Sequence, residues 1–263
     1  MTWGREELML RADLARHWQG CDAFSAAFAL SGPVARELEQ RQTLAFQLEG
    51  RRFFVKRHRG VSWKDVFKNL LQGRLPVVSA RNEYLALERL SALGLRVPVV
   101  AGYGRRGWLP ARFQSFLVTE DVGPHSSLEQ LCRDWPQQPP SVARKRALLQ
   151  EVADIARRLH AAGICHRDFY LCHFLQTSEQ ESLVLIDLHR ALIRRPLARR
   201  WIIKDLGSLY FSALEAGLTR RDLLRFVGRY RQRPWRSVLA EEAGFWQDIR
   251  ERALRLYRRG KRG

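Results

Sequence analysis

The sequence predicts an α+β chain of two lobes, a small β-rich N-terminal lobe and a larger, mainly helical C-terminal one. Three observations lead there. Strand-like runs at Thr43–Leu48 and Phe53–Lys56 flank the turn Glu49-Gly50-Arg51, and a third, Phe116–Val122, ends in the polar turn GPHSS. Between them, ARNEYLALERLSAL (Ala80–Leu93) places Tyr84, Leu87 and Leu90 on one helical face. Past residue 140 the apolar positions Val142, Leu148, Leu149, Val152, Ile155, Ala156 and Leu159 recur at helical spacing, with Ser141 as N-cap and Gly163 as the stop. The division puts residues 1–120 in the first lobe and 121–263 in the second, with Trp135–Pro140 (WPQQPP) as a loop inside the second. A chain of 263 residues can bury a sizeable core in this form.

The long helix runs directly into Ile164-Cys165-His166-Arg167-Asp168. A short apolar run (His173–Leu175), a polar turn (Thr177–Glu181) and a continuous apolar strand ending at Asp187 come next. Such a hairpin brings Asp168 and Asp187, nineteen residues apart, to one edge. Phosphoryl transfer needs two carboxylates with separate duties: one orients the incoming hydroxyl and takes its proton, the other holds Mg²⁺ on the nucleotide phosphates. His166, Arg167 and Asp168 are the candidate catalytic loop, with Asp187 the candidate metal ligand. The tripeptide alone reads equally well as a solvated turn with an incidental ion pair. Its place between a helix and a strand-terminal Asp favours the chemistry.

The first lobe supplies complementary groups. Lys56, at a strand end, can reach nucleotide phosphates as a point charge, and Glu83, near a helix start, can fix that lysine. The bland alternatives are a solvated lysine in a basic run and a first-turn carboxylate that favours its own helix. Backbone groups around Glu120 and Val122, at the end of the third strand, are the candidate contacts for the adenine edge.

These residues carry a family resemblance. FFVKRHRG at 53–60, KNLLQGRLPVVSARNEY at 68–84, FLVTED at 116–121, HRDFYLCHFL at 166–175, VLIDLHRA at 184–191 and KDLGSLYFSALEAGLTRRDLLRF at 204–226 are similar to the lipopolysaccharide core heptose(I) kinases, which have a protein-kinase-like fold. The resemblance covers most of residues 30–235. It implies ATP-dependent phosphorylation of the first heptose of the inner core, at its 4-hydroxyl, with ATP and Mg²⁺ as cofactors. It makes Asp168 the catalytic Asp, Asp187 the metal Asp, Lys56 the phosphate Lys and Glu83 its partner. Asp205 resembles the buried helix Asp that supports a kinase catalytic loop. Against the general protein-kinase pattern, His173 replaces the Asn five residues after the catalytic Asp; it joins Asp187 as the second candidate metal ligand and leaves the metal count open. Tyr170 stands where protein kinases carry a loop Lys, and Asp187 is followed by Leu-His, not Phe-Gly. No G-x-G-x-x-G precedes Lys56; only Ser31-Gly32-Pro33 comes before the strand at Thr43–Leu48, so other amides must cradle the phosphates.

Composition narrows the partners. There are 46 Lys/Arg against 27 Asp/Glu, a net charge of +19, and only six of the cations are lysines. Residues 194–263 alone hold 19 cations against 7 acids. Arginine-rich surfaces suit phosphates and carboxylates through bidentate forks. Charge alone implies an anionic partner; together with the resemblance it implies a lipid A–Kdo–heptose glycolipid, the anionic inner-membrane surface, and an acidic carrier protein such as acyl carrier protein. Nucleic acid is disfavoured, because no interleaved aromatic motif or zinc-finger spacing occurs. In VSWKDVFKNLLQGRL (61–75), Trp63, Val66, Phe67, Leu70 and Leu71 share one helical face; it reads as core or, with Lys64 and Lys68, as a membrane-surface helix. The charged N-terminal stretch has no apolar signal core, and no span of roughly 18–20 uncharged residues occurs, so a cytoplasmic protein, peripheral at the inner membrane, is expected. Cys21, Cys132, Cys165 and Cys172 show no disulfide framework, and the C-x₆-C spacing of Cys165 and Cys172 is not that of a zinc finger. Two other functions compete: a protein or other small-molecule phosphotransferase of the same fold, and a non-catalytic basic binding module on a degenerate one.

Overall fold

The computed structural model describes residues 6–38, 41–59, 80–107, 114–178 and 182–260. They form two compact units, one drawn from Met1–Glu88 and Pro98–Val122, the other from Arg89–Val97 and Gly123–Gly263. The first unit is built on a six-stranded antiparallel sheet of order β1-β5-β6-β4-β3-β2: β1 Glu7–Leu10, β2 Val34–Leu38, β3 Arg41–Leu48, β4 Arg51–Arg59, β5 Val100–Arg106 and β6 Gln114–Glu120. The hairpin expected at Glu49-Gly50 is the β3–β4 turn, with both residues at positive φ (49° and 74°). The strands extend past the expected runs because ladder pairing adds hydrogen bonds that local composition does not register.

Helices α1 (Ala12–His17) and α2 (Ala23–Ala29), unforeseen from the sequence, cover one face of this sheet. Leu14, Trp18, Phe24 and Ala27 pack there against Phe46, Phe53, Val55, Phe116 and Val118. Phe116 takes both Trp18 and Phe24 edge-on, at centroid distances of 5.7 and 5.3 Å. Asp22 caps α2 by accepting from the Ser25 N–H. Helix α3, Arg81–Ala92, is amphipathic as expected: Leu87 and Leu90 are buried and Tyr84 stacks on Tyr103 at 4.1 Å. The segment 61–75 lies outside the described residues.

The second unit is mainly helical: α4 Leu128–Cys132, α5 Val142–Ala161, α6 Arg199–Ala213, α7 Arg220–Arg231 and α8 Trp235–Gly260. Ser141 caps α5 through the Arg144 N–H, and Gly163 follows its end at φ +76° with its Cα against the Arg194 carbonyl, where a side chain would not fit. WPQQPP connects α4 to α5. A three-stranded sheet of β7 (His125–Ser127), β9 (Phe174–Thr177) and β10 (Leu183–Leu185) includes the expected hairpin as β9–β10; β8 (Ile164–Cys165) pairs with β11 (Leu192–Ile193). Arg89–Val97 belongs to this unit, although it lies within residues 1–120, because its polar groups are satisfied here. The Arg96 carbonyl accepts from Leu185 N–H (2.9 Å), and its guanidinium donates to the Ser182 carbonyl and hydroxyl (both 2.7 Å). Among the described residues no helix is long and apolar enough to cross a membrane.

Candidate active site

In the first unit, strand alternation decides where Lys56 goes. Phe53 and Val55 belong to the core under α1 and α2, so Phe54 and Lys56 take the opposite face. There Lys56 Nζ donates to Glu83 Oε1 in a largely buried ion pair, with 18% and 4% of the side chains exposed. The Glu120 carboxylate is engaged elsewhere. It accepts from Arg11 (2.7 Å) and Arg51 (2.8 Å), which both also bind Asp13 (2.6 Å each). The hydrogen bond from Arg11 holds the Asp13 carboxyl well below the usual carboxylate range, in spite of burial. Of Glu120 only the main chain is left for a ligand, and its N–H already donates to the Val99 carbonyl (2.9 Å). Val122 makes no main-chain hydrogen bond among the described residues, so both its groups are open.

In the second unit, the loop 166–168 hangs on one carboxylate. Asp205, wholly buried in α6, accepts from the N–H of His166 (2.6 Å) and of Arg167 (2.8 Å), from Cys165 Sγ (3.3 Å) and from His160 Nε2 (3.4 Å). Burial pushes the Asp205 carboxyl up, but His160 and then His166, through its ring and its amide, outweigh it and the net shift is down. This grip holds Arg167 at φ +74°, a region a non-glycine residue enters at a cost of about 1–3 kcal/mol. Asp187 is likewise left-handed, at φ +63°.

His166, expected among the catalytic groups, is fully buried and cannot touch a substrate. Its Nε2 donates to the Ile186 carbonyl (2.9 Å) and its ring stacks on His173 at 5.4 Å, so it ties the Asp168 loop to the Asp187 strand. Burial also pushes its pKa down, keeping the ring neutral. Arg167 sends its side chain over Trp201, with 5.9 Å to the ring centroid. Asp168 is partly exposed, and both its oxygens accept from a single nitrogen of Arg190, at 2.9 and 3.1 Å.

The chemistry of His173 bears on a metal. Its Nδ1 lies 2.6 Å from the Asp168 carbonyl, which can only accept, so Nδ1 carries the hydrogen. In the neutral ring Nε2 is then a lone pair facing Asp187 Oδ2 at 3.5 Å. Two acceptors that face each other call for a cation or a proton between them. The second Asp187 oxygen accepts from His189 Nδ1. Among the described residues no group of three or more acidic, His or Cys side chains is placed to enclose an ion. Mg²⁺ needs no such cage, since it is usually held by one or two carboxylates plus phosphate and water oxygens. Asp187 fits that role; His173 adds a nitrogen, which Mg²⁺ favours less than oxygen.

Two groups went unrecognised in the sequence. Arg190 sits three residues after Asp187 in a basic run, where nothing marks it as the partner of Asp168. Glu151, one of many charges on α5, accepts the Leu183 N–H at 2.6 Å and pins the hairpin. Deeper in the unit, α4 to α8 enclose an apolar pocket of about 230 Å³, whose lining includes Leu148, Val152, Leu209, Ala213, Phe226 and Trp246.

A family model described as the lipopolysaccharide kinase (Kdo/WaaP) family matches residues 25–230. The chain belongs to that family. It is 46% identical over 261 residues to the lipopolysaccharide core heptose(I) kinase WaaP of Pseudomonas aeruginosa, covering 97% of each chain. To the protein of the same name from Escherichia coli K12 it is 43% identical, over 96% of this chain and 98% of that one. A solved structure titled WaaP in complex with acyl carrier protein superposes with a TM-score of 0.84 at 42% identity, covering 95% of this chain and 99% of that one. The α+β class expected of the sequence, strands first and helices after, is the one this lipopolysaccharide kinase family member adopts.

Proposed function

We propose that the chain is an ATP-dependent kinase that phosphorylates the first heptose of the lipopolysaccharide inner core, at its 4-hydroxyl. The observation that carries this is the likeness to named heptose(I) kinases at above 40% identity over nearly the full length. In this reading Asp168 accepts a hydrogen bond from the sugar hydroxyl and takes its proton as oxygen bonds to the γ-phosphorus. The bond from that phosphorus to the β–γ bridging oxygen of ATP breaks, and ADP leaves. Because Arg190 uses one nitrogen on both Asp168 oxygens, a carboxylate lone pair is left for the hydroxyl. Lys56, held by Glu83, places its charge on the nucleotide phosphates, and the open Val122 main chain meets the adenine edge. Asp187, with His173 beside it, would hold Mg²⁺, which when bound neutralises phosphate charge. His166 and Asp205 keep the loop in place.

A carrier-protein partner belongs to the same proposal. The pocket of about 230 Å³ is lined almost wholly by apolar side chains, which water solvates poorly. An acyl chain is an occupant of the right chemistry, and a net charge of +19 suits an acidic carrier and an anionic membrane surface.

The test is turnover of core glycolipid from cells lacking the kinase, with the phosphorylated position read by mass spectrometry. A panel of protein, aminoglycoside and glycolipid acceptors separates the competing phosphotransferases. Asp168→Ala should fold as wild type and lose turnover; undiminished turnover would refute the assignment.

A further inference from the structure

Around Lys204 of α6 lies a group of cations, among them Arg190, the ion-pair partner of Asp168, with few acids to answer them among the described residues. Arg167 and Arg200 both stand by the Trp201 ring, at 5.9 and 5.4 Å from its centroid. Lys204, three residues further along α6, is half-buried. Its burial first, and then the charges of Arg167, Arg190 and Arg252, push its ammonium below the ordinary lysine range. The acids at hand are already used. Asp205 is spent on His160, Cys165 and the loop amides, and Asp168 on Arg190. Among the described residues neither the Arg167 guanidinium nor the Lys204 ammonium has a hydrogen-bonding or ion-paired acid, and the water-shielded Nε of Arg167 has no partner at all. Arg190 reaches Asp168 through one nitrogen, and among the described residues its other N–H groups have no acceptor.

Like charges gathered in a partly desolvated place repel, and a buried donor without a partner is costly. Both penalties vanish when an anion enters, since carboxylates and phosphates match arginine forks. We propose that Arg167, Arg190 and Lys204, flanked by Arg200, form an anion site that takes a carboxylate or phosphate group of the acceptor glycolipid and sets its hydroxyl against Asp168. This deepens the kinase reading and rests on it for the identity of the acceptor. Arg190 touches both the proposed anion and Asp168, so acceptor docking and catalytic geometry share one side chain. Lys204 is then a specificity-determining residue outside the reacting atoms.

The experiment measures equilibrium binding of the unphosphorylated core glycolipid, without nucleotide, to wild type and to Lys204→Met, which keeps the aliphatic stem. Three acceptors are used: native, carboxyl-reduced and dephosphorylated. Loss of a charge-assisted contact should weaken the native acceptor about tenfold in the variant. On the acceptor that lacks the recognised group, wild type and variant should bind alike; whichever acceptor that is names the source of the anion. Equal binding of the native acceptor by both proteins overturns the proposal, and so does a variant defect of the same size on all three acceptors. Turnover of the native acceptor by wild type, measured in parallel, tests the kinase reading: turnover with equal binding by both proteins overturns the anion site alone, and no turnover overturns the kinase reading.

Discussion

Asp205→Ala separates loop support from catalysis more sharply than any other change. The substitution orphans two main-chain donors, the buried N–H of His166 and the partly buried N–H of Arg167, at up to about 1–3 kcal/mol each. Removing the carboxylate also removes its own desolvation cost, so a net loss of about 3 kcal/mol is expected, at the lower end for a broken buried ionic contact. Against a typical total stability of about 5–15 kcal/mol the variant should still fold. Its loop should shift, because the carboxylate that holds both amides around the left-handed Arg167 is gone, and a displacement of about 1 Å at Asp168 is worth about a hundredfold in rate. Urea unfolding and steady-state kinetics on one preparation test both numbers. Asp205→Asn retains one accepting oxygen and should lose about half as much. The reasoning fails if Asp205→Ala unfolds within about 0.5 kcal/mol of wild type, the range of an ordinary surface change. It fails equally if that variant loses stability and keeps full kcat.

Lys56→Met should cut kcat/KM for ATP by at least about a hundredfold, as loss of a preorganised charge does, and Glu83→Gln should lower it less; titrating ATP at saturating acceptor reads both. His166 makes stability pH-dependent. Its folded pKa is depressed below 6.5, so the unfolded chain binds the extra proton first and stability falls as pH drops below about 6.5. Melting temperatures between pH 7.5 and 5.5 should show that slope, and His166→Gln should flatten it. The Asp205 contribution runs in a lower window: it is fully present above about pH 4 and is lost as pH falls through the depressed folded value. Ala213→Trp should fill the apolar pocket; co-purification of the variant with acylated carrier protein should drop while its melting temperature holds or rises, and unchanged recovery would remove the acyl chain from the pocket.

Much of the site was legible because its signals are local. Alternation along Phe53–Lys56 sets the lysine opposite the apolar face, Ser141 and Gly163 bracket a periodic helix, and an apolar strand delivers Asp187. Each of these is decided by residues a few positions apart. Segments without strong periodicity, such as α1 and α2, gave little warning, since six or seven residues carry too few apolar repeats to stand out.

Chain order alone therefore settled the class of fold and the kinds of side chain available for phosphotransfer. Long-range packing chose among them. It gave Asp168 to Arg190 and not to a loop lysine, buried His166 as a tie between loop and strand, drew the Glu120 carboxylate into the Arg11–Asp13–Arg51 cluster, and closed five helices around an apolar pocket. The physical reason is that charge pairing and burial depend on distance in space. With 40 arginines in the chain, Asp168 has many plausible partners in the sequence, and only folding brings Arg190 to within 3 Å of it.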